Sequence, residues 1–175
     1  MTNNTYTVDS QAFDALVRDA QPDGSAFPAS GNQEMVILFA AGNRGSGFNT
    51  IGAPGTAKNV ITVGAAEGVR SLNTVNGGNA SFGSDGCGFS DANADGAFDL
   101  ATFSSRGPTS DGRLKPDLVA PGTHIEGAAS RATGYDGTGV CNQFWPVGQT
   151  LYAWSSGTSH STPAVSGYCA LIRQW

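Results

Sequence analysis

The stretch EMVILFAAGN, residues 34–43, runs as an unbroken apolar segment into a Gly-Asn pair. Such a run predicts a strand that is fully buried in a parallel sheet. NVITVGAA, residues 59–66, predicts a second buried strand, and the residues between the two are typical of turns. We therefore expect a parallel sheet with Asn43 at the carboxyl end of one strand. Further short strands are predicted within 100–130 and at 151–156.

Helical spacing of apolar residues precedes and follows these strands. DSQAFDALVRDA, residues 9–20, predicts an amphipathic helix with Asp9 or Ser10 as its N-cap. SHSTPAVSGYCALIRQW, residues 159–175, predicts a largely buried helix with Pro163 in its first turn. Helices combined with buried strands indicate an α/β fold in layers.

Composition limits the size and the partners of the protein. A chain of 175 residues, 39% apolar and 13% charged, is expected to form one domain, spanning 1–175. A net charge of −5 with scattered Lys and Arg argues against a phosphate-binding surface, so we expect neither a nucleic-acid nor an anionic-membrane partner. No apolar stretch approaches the roughly 20 residues of a membrane span.

The stretch SSGTSHSTP, residues 155–163, places Ser159 where a strand turns into the last helix. Unpaired backbone N–H groups at a helix start can hold a developing oxyanion, which favours a nucleophile at this position. The alternative is a serine that caps the helix. Position alone leaves both interpretations open.

Four blocks of the sequence resemble subtilisin-like serine proteases, and they occur in that family's order: 39–45, 53–65, 103–122 and GTSHSTPAVSG at 157–167. The resemblance implies a three-layer α/β parallel-sheet architecture and a secreted endopeptidase acting on protein or peptide substrates. It also implies that Ser159 is the nucleophile. The Asn43 side chain and the Ser159 backbone N–H would form the oxyanion hole.

The family's Asp motif and His-Gly-Thr-His block do not occur in this sequence. We therefore expect a single partial domain, the C-terminal half of the catalytic domain, which is inactive alone. Its partner would be the missing N-terminal segment, and the sheet edge left open would allow self-association. His160 adjoins Ser159 but points about 100° away on a helix. Asp117 and His124 lie in a block that resembles scaffold, so we do not expect them to complete a triad.

A calcium loop is a further hypothesis. DANADGAFD places Asp91, Asn93, Asp95 and Asp99 at positions 1, 3, 5 and 9 of an EF-hand-like loop, with a glycine at position 6. Position 12 is Thr102 rather than Glu, so only half of the motif is present. The alternative is a solvated turn cluster without a metal.

The three cysteines fit no metal-binding pattern. Cys87 and Cys141 both lie in Gly-rich loops and are expected to pair, whereas Cys169 is expected to be buried in the last helix. For the whole chain, the alternative to a protease is a non-catalytic module, either a degenerate protease or a calcium-stabilised binding domain.

Overall fold

The computed structural model describes residues 4–69, 94–135, 143–144, 146 and 148–175. The predicted pairing of Cys87 with Cys141 lies outside the described residues. The predicted burial of Cys169 is wrong: it is only half-buried, because it packs at the margin of the core.

A parallel sheet forms the centre of the described structure. Its strands are β1 (Leu38–Ala40), β2 (Ile61–Ala66) and β3 (Leu118–Pro121), in the order β1-β2-β3. Leu38 pairs with Ile61, and Val63 pairs with Leu118. β2 is therefore the central strand, which explains why its residues from 62 to 66 are all buried, as predicted.

The chain that follows β3 forms a second sheet, which is antiparallel. It consists of β4 (Ile125–Ala128), β5 (Gln143–Phe144) and β6 (Tyr152–Ser155), in the order β4-β6-β5. β6 confirms the predicted strand at 151–156, whereas β5 falls in a segment expected to be a polar loop. Since β6 ends shortly before the last helix, this sheet sets the point at which that helix begins.

Two helices, α1 (Val8–Arg18) and α2 (Thr158–Gln174), cover opposite faces of the parallel sheet. Val165 of α2 packs on Val63 and Ala120, with Leu38 at the margin of the same cluster. Phe39, which points to the other face because successive strand residues alternate, meets α1 at 4.7 Å between its ring and that of Phe13. The described chain thus has the predicted three layers of an α/β parallel-sheet architecture.

The burial predicted for β1 is wrong. All three of its residues are only half-buried, and Met35 and Val36 of the preceding apolar run are each 45% exposed. β1 is an edge strand of the described sheet, so only one of its sides is covered by another strand. The apolar run has the composition of a buried strand, but a strand is fully buried only when other strands lie on both sides of it.

The predicted helix at 9–20 forms, but its N-cap is neither of the two predicted residues. Polar rather than apolar side chains join it to the rest of the structure. Thr7 is the N-cap, and its side chain accepts a hydrogen bond from the Ser10 backbone N–H. The buried residues of α1 are Ser10 and Asp14 rather than its apolar ones. The Asp14 carboxylate accepts hydrogen bonds from the backbone N–H groups of Lys58 (3.0 Å) and Asn59 (2.6 Å).

A third bond to Asp14 comes from the Tyr6 hydroxyl, at 2.8 Å. Burial acts to raise the pKa of Asp14, but the bonds from Lys58, Asn59 and Tyr6 outweigh it and lower the pKa below its ordinary value of 3.8. Asp14 is therefore a buried carboxylate whose charge is satisfied by the chain itself.

The prediction that α2 is largely buried is also wrong. Tyr168 is 67% exposed, Leu171 58% and Ile172 74%. Pro163 is the sixth residue of α2 rather than part of its first turn. Because proline has no backbone N–H, the Ser159 carbonyl receives no bond from position 163.

Candidate active site

The predicted site lies at the carboxyl ends of the parallel strands, where α2 begins. Asn43 follows β1 by three residues, and Gly122 directly follows β3. The Gly157 N–H donates to the Gly122 carbonyl at 2.8 Å, which fixes the start of α2 against the end of β3. The carboxyl edge of an open parallel sheet is where α/β proteins bind their ligands.

Gly122 permits this close approach. A Cβ atom at position 122 would clash with Ser161 Oγ, and it would lie 2.7 Å from Ala65 Cβ and 3.0 Å from the Gly157 carbonyl oxygen. No other residue leaves room for the helix start at this distance from the sheet.

Asn43 is exposed, and its side-chain oxygen is fixed by Thr158. The Thr158 backbone N–H donates to Asn43 Oδ1 at 2.9 Å, and the Thr158 hydroxyl donates to the same oxygen at 2.8 Å. Preceding it, Gly42 adopts a φ of 107°, which favours glycine and turns the chain out of β1. These bonds fix the amide plane and leave Asn43 Nδ2 without a partner among the described residues.

Gly157 opens a space beside that free amide group. A Cβ atom placed on Gly157 would lie 3.2 Å from Asn43 Nδ2 and 3.8 Å from the Ser159 backbone nitrogen. The Ser159 N–H is one of the helix-start groups that have no intrahelical acceptor. We call Asn43 Nδ2 and the Ser159 N–H the donor pair. Both border one space that the absence of a side chain at position 157 leaves open.

Ser159 does not cap α2. The N-cap is Gly157, and no side chain forms a capping hydrogen bond there. Ser159 is the second residue of the helix and is exposed, and its hydroxyl has no hydrogen-bond partner among the described residues. Of the two interpretations that the sequence left open, the structure disfavours the cap.

Neither histidine of the chain serves Ser159. His160 Nε2 lies 2.8 Å from Ser155 Oγ, in agreement with the expectation that it points away from its neighbour. His124 is completely buried, and its ring centre lies 5.6 Å from that of Trp154.

Asp117 is likewise engaged elsewhere. Its carboxylate accepts hydrogen bonds from the Thr62 backbone N–H at 2.7 Å and from Lys115 Nζ at 2.6 Å. Asp117 therefore braces β3 against β2, and a triad of Asp117, His124 and Ser159 is not assembled.

The predicted calcium ligands fall partly outside the described residues, since Asp91 and Asn93 are not described. Asp95 and Asp99 are described and exposed, and a ligand atom of each lies within 4.8 Å of the other and of a Glu67 carboxylate oxygen. Sequence reasoning does not identify Glu67 as a site residue. We call Glu67, Asp95 and Asp99 the acidic cluster.

Thr158 is the second residue of a candidate site that the sequence does not identify. It lies inside the quoted GTS motif, but its partner Asn43 is 115 positions away, so no local pattern reports the contact. An exposed serine beside two converging hydrogen-bond donors is an arrangement typical of serine hydrolases, in which the donors hold the oxyanion formed by attack on a carbonyl.

Comparison with known proteins names the family. The sequence model of the Subtilase family, Peptidase_S8, matches residues 2–175, and the chain belongs to this family. Serine protease AprX of Bacillus subtilis is 36% identical over 166 residues, which are 95% of this chain and 30% of AprX. Pyrolysin of Pyrococcus furiosus is 38% identical over 144 residues, 79% of this chain and 9% of pyrolysin. The chain thus spans less than a third of the length of either relative.

Among solved structures, Sphericase overlays 78% of this chain and 33% of its own chain, with a TM-score of 0.45 and 28% identity. Among the described residues, no helix has the length and apolar character needed to cross a bilayer.

Proposed function

We propose that this chain provides the nucleophile and the oxyanion hole of a subtilisin-like serine endopeptidase. Ser159 Oγ would attack the scissile carbonyl carbon, and the carbonyl oxygen, now negative, would lie in the space beside Gly157. Asn43 Nδ2 and the Ser159 N–H would each donate to it. Collapse of the tetrahedral adduct would release the amine and leave an acyl-enzyme, which water then hydrolyses.

The observation that carries this proposal is the fixed orientation of Asn43. An amide held only by solvent could present either end to the substrate. Here two bonds from Thr158 occupy Oδ1, so the end that remains available is the donor. A donor that is oriented before the reaction costs no reorganisation when the oxyanion forms.

The general base would come from another segment of polypeptide. Deprotonation of Ser159 needs a base within hydrogen-bond reach, and both histidines of the chain contact other groups. We propose that a segment carrying the family's Asp and His docks beside the open edge of β1. The exposed apolar side chains of Met35 and Val36 lie next to that edge and would be covered by such a segment.

Protein and peptide substrates follow from the family, and a secreted location is proposed on the same ground. If the segment that supplies the base is absent, the open edge of β1 is also a site at which two copies of the chain could pair. A non-catalytic binding module is the alternative function, which the labelling experiment separates from the protease.

The proposal is tested with a fluorophosphonate probe, which forms a covalent adduct only with an activated serine. The chain is refolded alone and together with the part of the AprX catalytic domain that precedes its match to this chain. We expect little adduct with the chain alone and a stoichiometric adduct on Ser159 in the reconstituted complex, as located by mass spectrometry.

Two variants serve as controls. Ser159→Ala should abolish the adduct, whereas Ser166→Ala, which removes a hydroxyl that bonds to the Thr162 carbonyl on the same helix, should leave labelling unchanged. A complex that forms, as judged by size-exclusion chromatography, but does not label contradicts the proposed enzyme. Stoichiometric labelling of the chain alone contradicts the need for a second segment.

A further inference from the structure

The acidic cluster of Glu67, Asp95 and Asp99 lies where β2 ends. Each residue offers a carboxylate oxygen, and the three oxygens lie within 4.8 Å of one another. Oxygens this close need only small side-chain rotations to lie about 2.4 Å from a common point, the usual distance of a calcium ligand. No basic side chain forms a salt bridge with any of the three in the part of the chain that the structure describes.

Glu67 distinguishes this cluster from an ordinary acidic surface. It is only 6% exposed, and its Oε2 atom is buried with no hydrogen-bond partner among the described residues. An ionised carboxylate buried without a partner is strongly unfavourable, so native proteins rarely leave one in that state. By contrast, the buried carboxylate of Asp14 receives three hydrogen bonds. Within the described structure, Glu67 thus lacks a partner of positive charge.

Backbone hydrogen bonds hold two of the three residues, Glu67 and Asp99, in place. The Glu67 N–H donates to the Asp99 carbonyl at 2.9 Å, and the Asp99 N–H donates to the Gly96 carbonyl at 2.9 Å. A Cβ atom at position 96 would lie 2.6 Å from Asp99 Oδ2, so a side chain there would force the Asp99 carboxylate to move. The loop is therefore joined to the end of β2, and this junction brings the three carboxylates together.

We propose that Glu67, Asp95 and Asp99 bind a calcium ion. The donors are all hard carboxylate oxygens, which suit Ca²⁺ and disfavour soft metals. Three negative charges exceed what one divalent cation neutralises, which favours tight binding, and water fills the remaining coordination positions. Glu67 supplies the glutamate that the loop itself lacks, since position 12 of the loop pattern is Thr102.

The ion would fasten the loop to the sheet. Residues 99–101 already pair with the end of β2, through the Ala66–Leu100 bridge and the bond from the Ala101 N–H to the Ala65 carbonyl at 3.0 Å. A cation shared between Glu67 and the two aspartates adds a link between side chains at the same junction. This site is independent of the proposed catalytic function, because it includes neither Ser159 nor Asn43.

Isothermal titration of the EDTA-treated chain with CaCl₂ tests the proposal. We expect binding that Glu67→Gln weakens by roughly tenfold or more, because this change keeps the shape of the side chain and removes its charge. Asp99→Asn should weaken binding in the same direction, and it is the second variant should Glu67→Gln fold poorly. Glu34→Gln, which alters an exposed glutamate outside the cluster, is the matched control and should bind as the wild type does.

Thermal unfolding gives a second readout that a purely structural glutamate would not produce. In EDTA, Glu67→Gln should unfold at the same temperature as the wild type or higher, since it removes an unpaired buried charge. In excess calcium it should unfold at a lower temperature, because only the wild type gains fully from the ion. Equal calcium affinity of wild type and both variants, or no binding at millimolar CaCl₂, overturns the proposal.

Discussion

The donor pair and the acidic cluster lie beyond the ends of neighbouring strands, β1 and β2, and they leave opposite kinds of polar group unpaired. At the first, the oxygen of Asn43 is bonded, and the N–H groups have no acceptor among the described residues. At the second, the N–H of Glu67 is bonded, and a carboxylate oxygen has no donor in the same part of the chain. The comparison teaches that the unpaired group predicts the charge of the ligand: free donors suit an anion, and free acceptors suit a cation.

The largest effect is expected from removal of a donor. Asn43→Ala in the reconstituted enzyme should lower kcat by roughly 10²–10³-fold, the range known for loss of one such donor in a subtilisin, with little change in KM. Steady-state hydrolysis of a peptide substrate measures it. Asn32→Ala, in an exposed loop, is the matched control. The calcium affinity of Asn43→Ala should equal that of the wild type. If the variant loses both kcat and calcium affinity, the donor pair and the acidic cluster are not independent.

Thr158→Val refines the same experiment. The variant keeps Asn43 Nδ2 but removes one of the two bonds that orient it, so kcat should fall by about tenfold, less than in Asn43→Ala. A larger fall than in Asn43→Ala would mean that Thr158 acts on more than the amide.

Gly122→Ala should have the next largest effect. The added methyl would contact Ala65 and the Gly157 carbonyl, which pushes the start of α2 away from the sheet and costs about 1–3 kcal/mol of unfolding free energy. Urea unfolding measures it. Gly127→Ala, where a Cβ would meet nothing within 4 Å, is the control. Equal stability of the two variants would contradict the close packing described for Gly122.

The smallest effect is expected at Asp14, the buried carboxylate that needs no ion. Asp14→Asn should lower the unfolding free energy by about 1 kcal/mol near neutral pH, since the amide has one acceptor oxygen where the carboxylate has two, and at least one of the three donors loses its bond. Because folding lowers the pKa of Asp14, this contribution is complete above the ordinary pKa of 3.8 and is lost as pH falls through the folded value.

Urea unfolding of wild type and Asp14→Asn at pH 7 and near pH 3 checks this, and the difference between them should shrink at the lower pH. Calcium should leave the difference unchanged, in contrast to Glu67→Gln. A difference that persists unaltered in acid would show that the charge of Asp14 does not stabilise the fold.

The sequence predicts the elements better than their environments. The prediction for β2 is correct because a central strand is buried by its own two neighbours, and an apolar run reports that directly. β1 has the same character but lies at an edge, and α2 has helical spacing with Leu171 and Ile172 exposed. The pattern of apolar residues shows which face of a strand or helix can be buried. Whether that face is buried depends on which other parts of the protein lie against it.

The same limit applies to the sites. Ser159 and Asn43 can be proposed from the sequence because each lies in a block with a recognisable local pattern. Thr158 and Glu67 cannot, since the role of each depends on residues distant in the sequence: Asn43 for the first, and Asp95 and Asp99 for the second. The spacing of residues along the loop identifies Asp95 and Asp99, but it gives no information on Glu67, which lies at the end of β2.

The bonds between Thr158 and Asn43 also have a kinetic consequence. They join residues 115 positions apart, and closing a loop of that length costs entropy that a single hydrogen bond does not offset, so we expect these bonds to form late in folding. The amide is therefore oriented only after β1, β2 and α2 have come together. If the donor pair is the oxyanion hole, as proposed, we expect the hole to be completed late in folding, when the chain is no longer an accessible unfolded substrate for a second copy.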